Sequence, residues 1–204
     1  MEKITKYWEN FYKKNHDVPQ TPSDFAVFTH RKIHDLTRGA NTNKLLDLGC
    51  GNGRDSFYFA RNGFEVTAID QNIDISSHGV VFIKGDLTNI LFPTADFIYC
   101  RFVVHALAEE GLDKVLSSLS DSMSNQLLFI ETRGCEGITD KPKLETFFES
   151  GIGAAHFRML YSFEYLSKKL SKYFDIVESF SDRGFAIFDG EDPVCHRYIL
   201  KRLP

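Results

Sequence analysis

Three glycines at alternate positions, Gly49, Gly51 and Gly53, lie between a short apolar run, Lys44–Leu48 (KLLDL), and a helical stretch, Asp55–Asn62. A strand, a sharp turn and a helix must follow one another there. Glycine lets the backbone turn tightly and lets a ligand approach the positive end of the next helix. The GxGxxG fingerprint of hydride-transferring dinucleotide enzymes would need glycine at position 54, where this chain has Arg54.

The flanking sequence repeats this alternation. Glu65–Ile69, Val80–Lys84, Ala95–Cys100 and Leu127–Glu131 read as further short apolar strands, with a helix over Leu112–Ser122 between the last two. Continuous apolar strands separated by helices predict a parallel sheet covered on both faces, and right-handed crossovers make it doubly wound. Upstream, Tyr7, Trp8, Phe11 and Tyr12 recur at helical spacing, and Ser23 is placed to cap a second helix reaching about Arg38, ended by Gly39. Downstream, Thr132–Glu149 reads as an irregular excursion. Phe163–Tyr173 reads as an amphipathic helix whose Lys168, Lys169 and Lys172 form a solvated face. Ile176–Phe180 and Val194–Lys201 read as an antiparallel pair closing the sheet edge, with a turn at Arg183-Gly184-Phe185 between them. The expectation is one α/β domain over residues 1–204 with a mostly parallel seven-stranded sheet. It divides into a helical cap (1–40), a ligand-binding core (41–132) and closing elements (133–204).

Acids stand at three successive strand ends: Asp47, Asp70 and Asp86. Asp47 is placed to meet a cationic or hydroxyl-bearing ligand. Asp70 lies close to the roughly 20-residue offset at which an acid takes ribose hydroxyls. Asp86 could meet an adenine amino group. Any one of them could be a helix cap, but together they mark the carboxyl edge of the sheet, where ligands bind.

LLDLGCGNGRD, followed in order by VTAID, GDL and ADFIYCRFVVHAL, resembles the motifs of class I S-adenosylmethionine-dependent methyltransferases over roughly residues 44–131. The resemblance implies a Rossmann-like fold and S-adenosylmethionine as methyl donor. Asp47, Gly49, Cys50, Gly51, Gly53 and Asp55 would surround its amino-acid part, and Asp70 with Gln71 would hold the ribose. Asp86 and Leu87 would flank the adenine, and Arg101 and Phe102 the methionine portion. The N-terminal YWENFY resembles the cap that covers the donor in small-molecule members, which assigns Trp8 and Tyr12 to the cofactor; ordinary packing of that helix is the other reading. More loosely, ETR, HFRMLYSFEYL, RGFA and EDPVCHRYILK resemble bacterial methyltransferases of surface-glycan and cell-envelope modification.

Methyl transfer to a hydroxyl benefits from a base, and His105, just after the fourth strand, is the candidate; the alternative is a packing histidine. Arg133, Arg158, His156, Tyr161 and Arg183 follow the fifth strand, where acceptor-binding elements are inserted. Arginine forks suit phosphate and carboxylate oxygens, so convergence of these side chains would mean an anionic acceptor, phosphorylated or sugar-linked. Arg133 and Arg158 are assigned with His105 to catalysis, and His156, Tyr161 and Arg183 to substrate. Glu131 could assist.

A net charge of −4 and the absence of an NPPY-like sequence after the fourth strand argue against nucleic acid and toward O-methylation of a small molecule. Cys50, Cys100, Cys135 and Cys195 form no CxxC pair, the histidines are scattered, and no metal site is expected. The N-terminus lacks the apolar core of a secretory signal, and no stretch approaches the ~18 apolar residues of a membrane span. The chain reads as cytoplasmic, a monomer or homodimer. Two other functions fit less of the sequence: a non-catalytic donor-binding partner protein, and a dinucleotide oxidoreductase, against which the missing GxGxxG and Tyr-xxx-Lys count.

Overall fold

A computed structural model of the chain describes residues 21–37, 42–73, 79–148, 156–188 and 190–204. Trp8, Tyr12 and the helix expected around them lie outside the described residues, as does Gly39.

Seven strands form the main sheet: β1 (Lys44–Leu48), β2 (Glu65–Asp70), β3 (Val80–Lys84), β4 (Phe97–Arg101), β5 (Leu127–Arg133), β8 (Phe174–Asp182) and β9 (Cys195–Arg202), in the order β3-β2-β1-β4-β5-β9-β8. The pairs from β3 to β5 are all parallel, and β9 is antiparallel to both its neighbours. The expected antiparallel pair thus closes the edge, with the reversed strand β9 inside and β8 outermost. The strand order turns around between β1 and β4, which opens a crevice at their carboxyl ends.

The central strands bury both faces. On one side Leu46, Leu48, Ile98, Leu128 and Leu200 pack with Leu112 and Leu116 of α3 (Glu109–Ser122) and Leu166 and Leu170 of α4 (Phe163–Leu170). On the other, Leu45, Phe97, Tyr99 and Phe129 meet Phe25 and Ile33 of α1 (Asp24–Leu36) and Phe59 of α2 (Arg54–Arg61). Much of the phenylalanine content is used there: Phe59 and Phe25 each approach Tyr99 at 5.1 Å between ring centres. Ser23 caps α1, accepting a bond from Ala26 N at 3.1 Å. Of the cysteines, Cys100 is buried and Cys50 only half-buried.

The stretch expected to be irregular contains a strand. β6 (Lys143–Phe148) pairs antiparallel with β7 (His156–Tyr161) as a separate two-stranded sheet. Its alternation is shallow, with Lys143, Glu145 and Phe147 exposed and Leu144 and Thr146 only half-buried. β7 is buried throughout although it carries His156 and Arg158. Polar residues at buried positions hid the strand pattern. Lys169, expected in solvent, is also buried; it pairs with Asp113 at 2.5 Å and Glu109 at 3.5 Å on α3.

At the crevice β1 runs into the glycine turn. Gly49 N and Cys50 N both donate to Ile69 O of β2, at 2.8 and 3.2 Å, which folds the turn back over the next strand. Gly49 has φ +69°, and a Cβ there would lie 2.3 Å from Val103 Cγ2. Left-handed strain and this clash add up, so Gly49→Ala is expected to destabilise the protein by about 2–4 kcal/mol in urea denaturation. Adding Val103→Ala should recover the part due to the clash alone.

Candidate active site

The crevice is a cavity of about 750 Å3 lined by residues from the ends of β1, β2, β4 and β5, from β7, and from the β8–β9 loop. Its two ends differ in charge.

At one end are carboxylates. Asp47 is buried, and its Oδ2 accepts a bond from Ser56 Oγ at 2.5 Å. Burial pushes its pKa up to about 7, helped by the neighbouring charges of Asp55 and Asp70. Asp70 accepts from Gly51 N at 3.0 Å and from Asn72 N at 2.8 Å, and burial raises its pKa too. Gln71, Asp86, Leu87, Cys50 and Gly49 also line this end. Asp86 is exposed and holds its own turn, accepting from Thr88 N and Oγ1 and from Asn89 Nδ2. Gly51 and Gly53 are not among the lining residues; they shape the turn, and Gly51 presents its amide to Asp70.

Asp55 also lines the cavity, but protein donors occupy its oxygens: Ser23 N at 2.8 Å, Ser23 Oγ at 2.6 Å, Tyr99 Oη at 2.8 Å and Arg54 Nε at 3.3 Å. The charges of Arg54 and Arg101, and then the Ser23 bonds, hold its carboxyl below the usual range despite burial. These bonds clamp the start of α1 onto the start of α2.

The other end is basic. Arg101 donates to the fully buried Glu131 at 2.9 Å and lies over the Phe102 ring at 4.1 Å. Phe102 has φ +60°, the single positive-φ non-glycine among the described residues, and its amide donates to Glu131 O at 2.8 Å. Such strain concentrates at working sites. Arg133 pairs with Glu191 at 3.1 Å. Arg158, buried on β7, donates through Nε to His156 Nε2 at 2.9 Å. Arg101, Arg133 and Arg158 all line the cavity.

His105 lies among them and is buried. Desolvation, then the charges of Arg158, Arg133 and His156, hold its pKa well below the ordinary value, so the ring is neutral. Its Nδ1 lies 3.2 Å from the Arg133 amide, which can only donate, and 3.0 Å from Thr132 Oγ1. Nδ1 is therefore the acceptor and Nε2 carries the proton.

The other three expected substrate residues do not line the cavity. His156 sits behind Arg158 and orients it. Tyr161 is fully buried, stacked on Tyr165 with ring centres 5.8 Å apart. Arg183 is bonded through Nη1 to Asp192 O and closes the base of the β8–β9 loop. Sequence reading missed Ser23 and Tyr99, which hold Asp55, and Arg197, whose Nε donates to Glu131 at 2.7 Å. It also missed the apolar run Phe185–Phe188 on the cavity wall. Only that run carried a signal, as four uncharged residues in an exposed loop.

Residues 6–120 match the family described as "Tellurite resistance protein TehB". The chain belongs to the TehB family. A probable S-adenosyl-L-methionine-dependent methyltransferase TehB of Haemophilus influenzae (strain 10810) is 25% identical over 126 residues, covering 54% of this chain and 42% of that protein. The chain thus matches less than half the length of this TehB relative. Among solved structures, 1,6-didemethyltoxoflavin-N1-methyltransferase of Burkholderia thailandensis superposes with TM-score 0.72 at 16% identity, covering 98% of this chain and 88% of that one. The glycopeptide N-methyltransferase MtfA gives 0.61 at 15% identity, over 93% and 98%. A methyltransferase from Clostridium acetobutylicum ATCC 824 gives 0.64 at 13%, over 97% and 98%. The fold of this TehB family member is thus that of class I methyltransferases.

Glu131 ties both sides of the basic end together. Glu131→Gln removes the one negative charge that two guanidinium groups share, and the midpoint of urea unfolding should fall by the equivalent of about 3 kcal/mol.

Proposed function

We propose that the protein transfers a methyl group from S-adenosylmethionine to a small anionic acceptor, at oxygen. Family membership supports the donor. The residues at the acidic end fit it: a buried carboxylate near neutrality at Asp47 suits an ammonium group, Asp70 at the end of β2 suits ribose hydroxyls, and the turn at Gly49 leaves no room for a side chain. Bound there, the donor supplies an activated methyl carbon on a sulfonium. The chain's own contribution is to hold both partners in line at near-attack distance.

The observation that carries the acceptor class is the convergence of Arg101, Arg133 and Arg158 on one end of the cavity, around a His105 kept neutral by burial first and by their charges second. A phosphate or carboxylate oxygen is held there by charged forks and by the His105 Nε2–H. Such an oxygen has already lost its proton, so His105 need not act as a base. Tellurite, for which the family is named, is itself an oxyanion; phosphorylated and sugar-linked metabolites of the surface-glycan kind share the same chemistry. The N-methyltransferases among the structural neighbours supply the competing reading, a neutral amine acceptor.

Methyl transfer from labelled donor into matched panels of oxyanions and amines separates the two. Label in an oxyanion, with the acceptor KM raised at least about tenfold by Arg158→Met and donor affinity unchanged, is the expected result. Label confined to amines would overturn the anionic reading.

Asp47 gives donor binding a pH dependence. The donor's ammonium pairs with the ionised carboxylate, while the free protein holds Asp47 half protonated near pH 7. Calorimetric affinity should therefore fall as pH drops below about 7, approaching about tenfold per unit. Asp47→Asn should bind more weakly and lose this slope.

A further inference from the structure

The β8–β9 loop places Phe185, Ala186, Ile187 and Phe188 on the cavity wall. Ile187 and Phe188 are 67% and 55% exposed, while Phe185 is half-buried. Large apolar side chains left open at the rim of a cavity are unfavourable in water unless something covers them.

This run is anchored at one end by Arg197 and at the other by Glu191, the partner of Arg133. Arg197 Nη2 donates to Phe185 O at 3.1 Å, and its guanidinium lies over the Phe185 ring at 4.2 Å. The same guanidinium donates to Glu131 and lies over Phe25 and Phe28 at 5.4 and 5.1 Å, so it is fixed from the sheet and from α1. At the other end, Phe188 N donates to Glu191 O at 3.0 Å and Glu191 N to Phe188 O at 2.9 Å. Glu191 is the residue that pairs with Arg133. An apolar surface is thereby held in fixed relation to the arginines.

We infer that Phe185–Phe188 is an acceptor-specificity wall, held by Arg197 as a positioning residue, and that it selects anions carrying a flat apolar body such as an aromatic ring. The inference rests on the acceptor site proposed above and adds the second half of the acceptor's chemistry. The arginines take the charged group, and the wall covers the apolar part and is covered by it. A bare oxyanion would leave Ile187 and Phe188 in water.

The test uses charge-matched probes on the full chain saturated with S-adenosylhomocysteine. Phenylphosphonate is compared with methylphosphonate, and benzylamine with methylamine, by calorimetry. The phenyl member of the binding pair is expected to bind about tenfold tighter or better, the value of burying most of one ring. The double variant Ile187→Ser/Phe188→Ser should reduce that preference to within about threefold, leaving S-adenosylhomocysteine affinity unchanged. Arg197→Lys keeps the charge beside Glu131 but loses the fork, and should reduce the preference in the same way. If the amine pair binds in place of the phosphonates, the anionic reading fails and the wall is still measured. No phenyl preference in either pair, a preference untouched by the serine variant, or a parallel loss of S-adenosylhomocysteine affinity would overturn the inference.

Discussion

A carboxylate with no solvent exposure, held between two guanidinium groups, organises the working end of this protein. Glu131 leaves β5 and receives Arg101 from β4 on one oxygen and Arg197 from β9 on the other. Its backbone carbonyl receives the Phe102 amide. Removing three charges from water is costly, and mutual pairing offsets that cost only when the geometry is fixed. Each arginine is then free to use its remaining surface: Arg101 stacks on Phe102, and Arg197 stacks on the rings of α1 and of the β8–β9 loop. One buried anion sets the positions of a strand end, a strained residue and a cavity wall.

The acidic end is built on a different principle. Its framework is backbone: a glycine turn bonded to Ile69 O, and amides of Gly51 and Asn72 directed at Asp70. The side-chain clamp of Asp55 by Ser23 and Tyr99 then fixes α1 against this turn, so the helix is positioned by the loop it shields. Acid at one end and base at the other share one cavity without a wall separating them.

The sheet and the acidic end were legible in the sequence because their signals are local. KLLDL before three glycines, and an acid at the end of each following strand, can be read from spacing alone. The basic end was legible only as a set of residue types. Arg133 and Arg158 do line the cavity, but nothing local separates them from Arg183, which closes a loop through Asp192. His105 was legible as a histidine just after the fourth strand, but its tautomer was not, because that is set by the amide of Arg133, 28 residues away. β6 and β7 were missed for a related reason: His156 and Arg158 occupy buried positions that a strand pattern reserves for apolar side chains.

The reversed strand β9 lies inside the sheet, between β5 and β8, although it comes last in the chain. A ribosome delivers the parallel half of the sheet, from β1 to β5, well before β9 emerges. Until then Glu131 has one of its two partners, β5 has an open edge, and β8 has no neighbour in the sheet. Strand insertion over so long a sequence separation is the slow kind of folding step. The acidic end of the crevice can therefore take shape during synthesis, whereas the basic end waits for the final strand to close it, and a nascent chain stalled before Cys195 would have the Phe185–Phe188 run without the Arg197 that holds it.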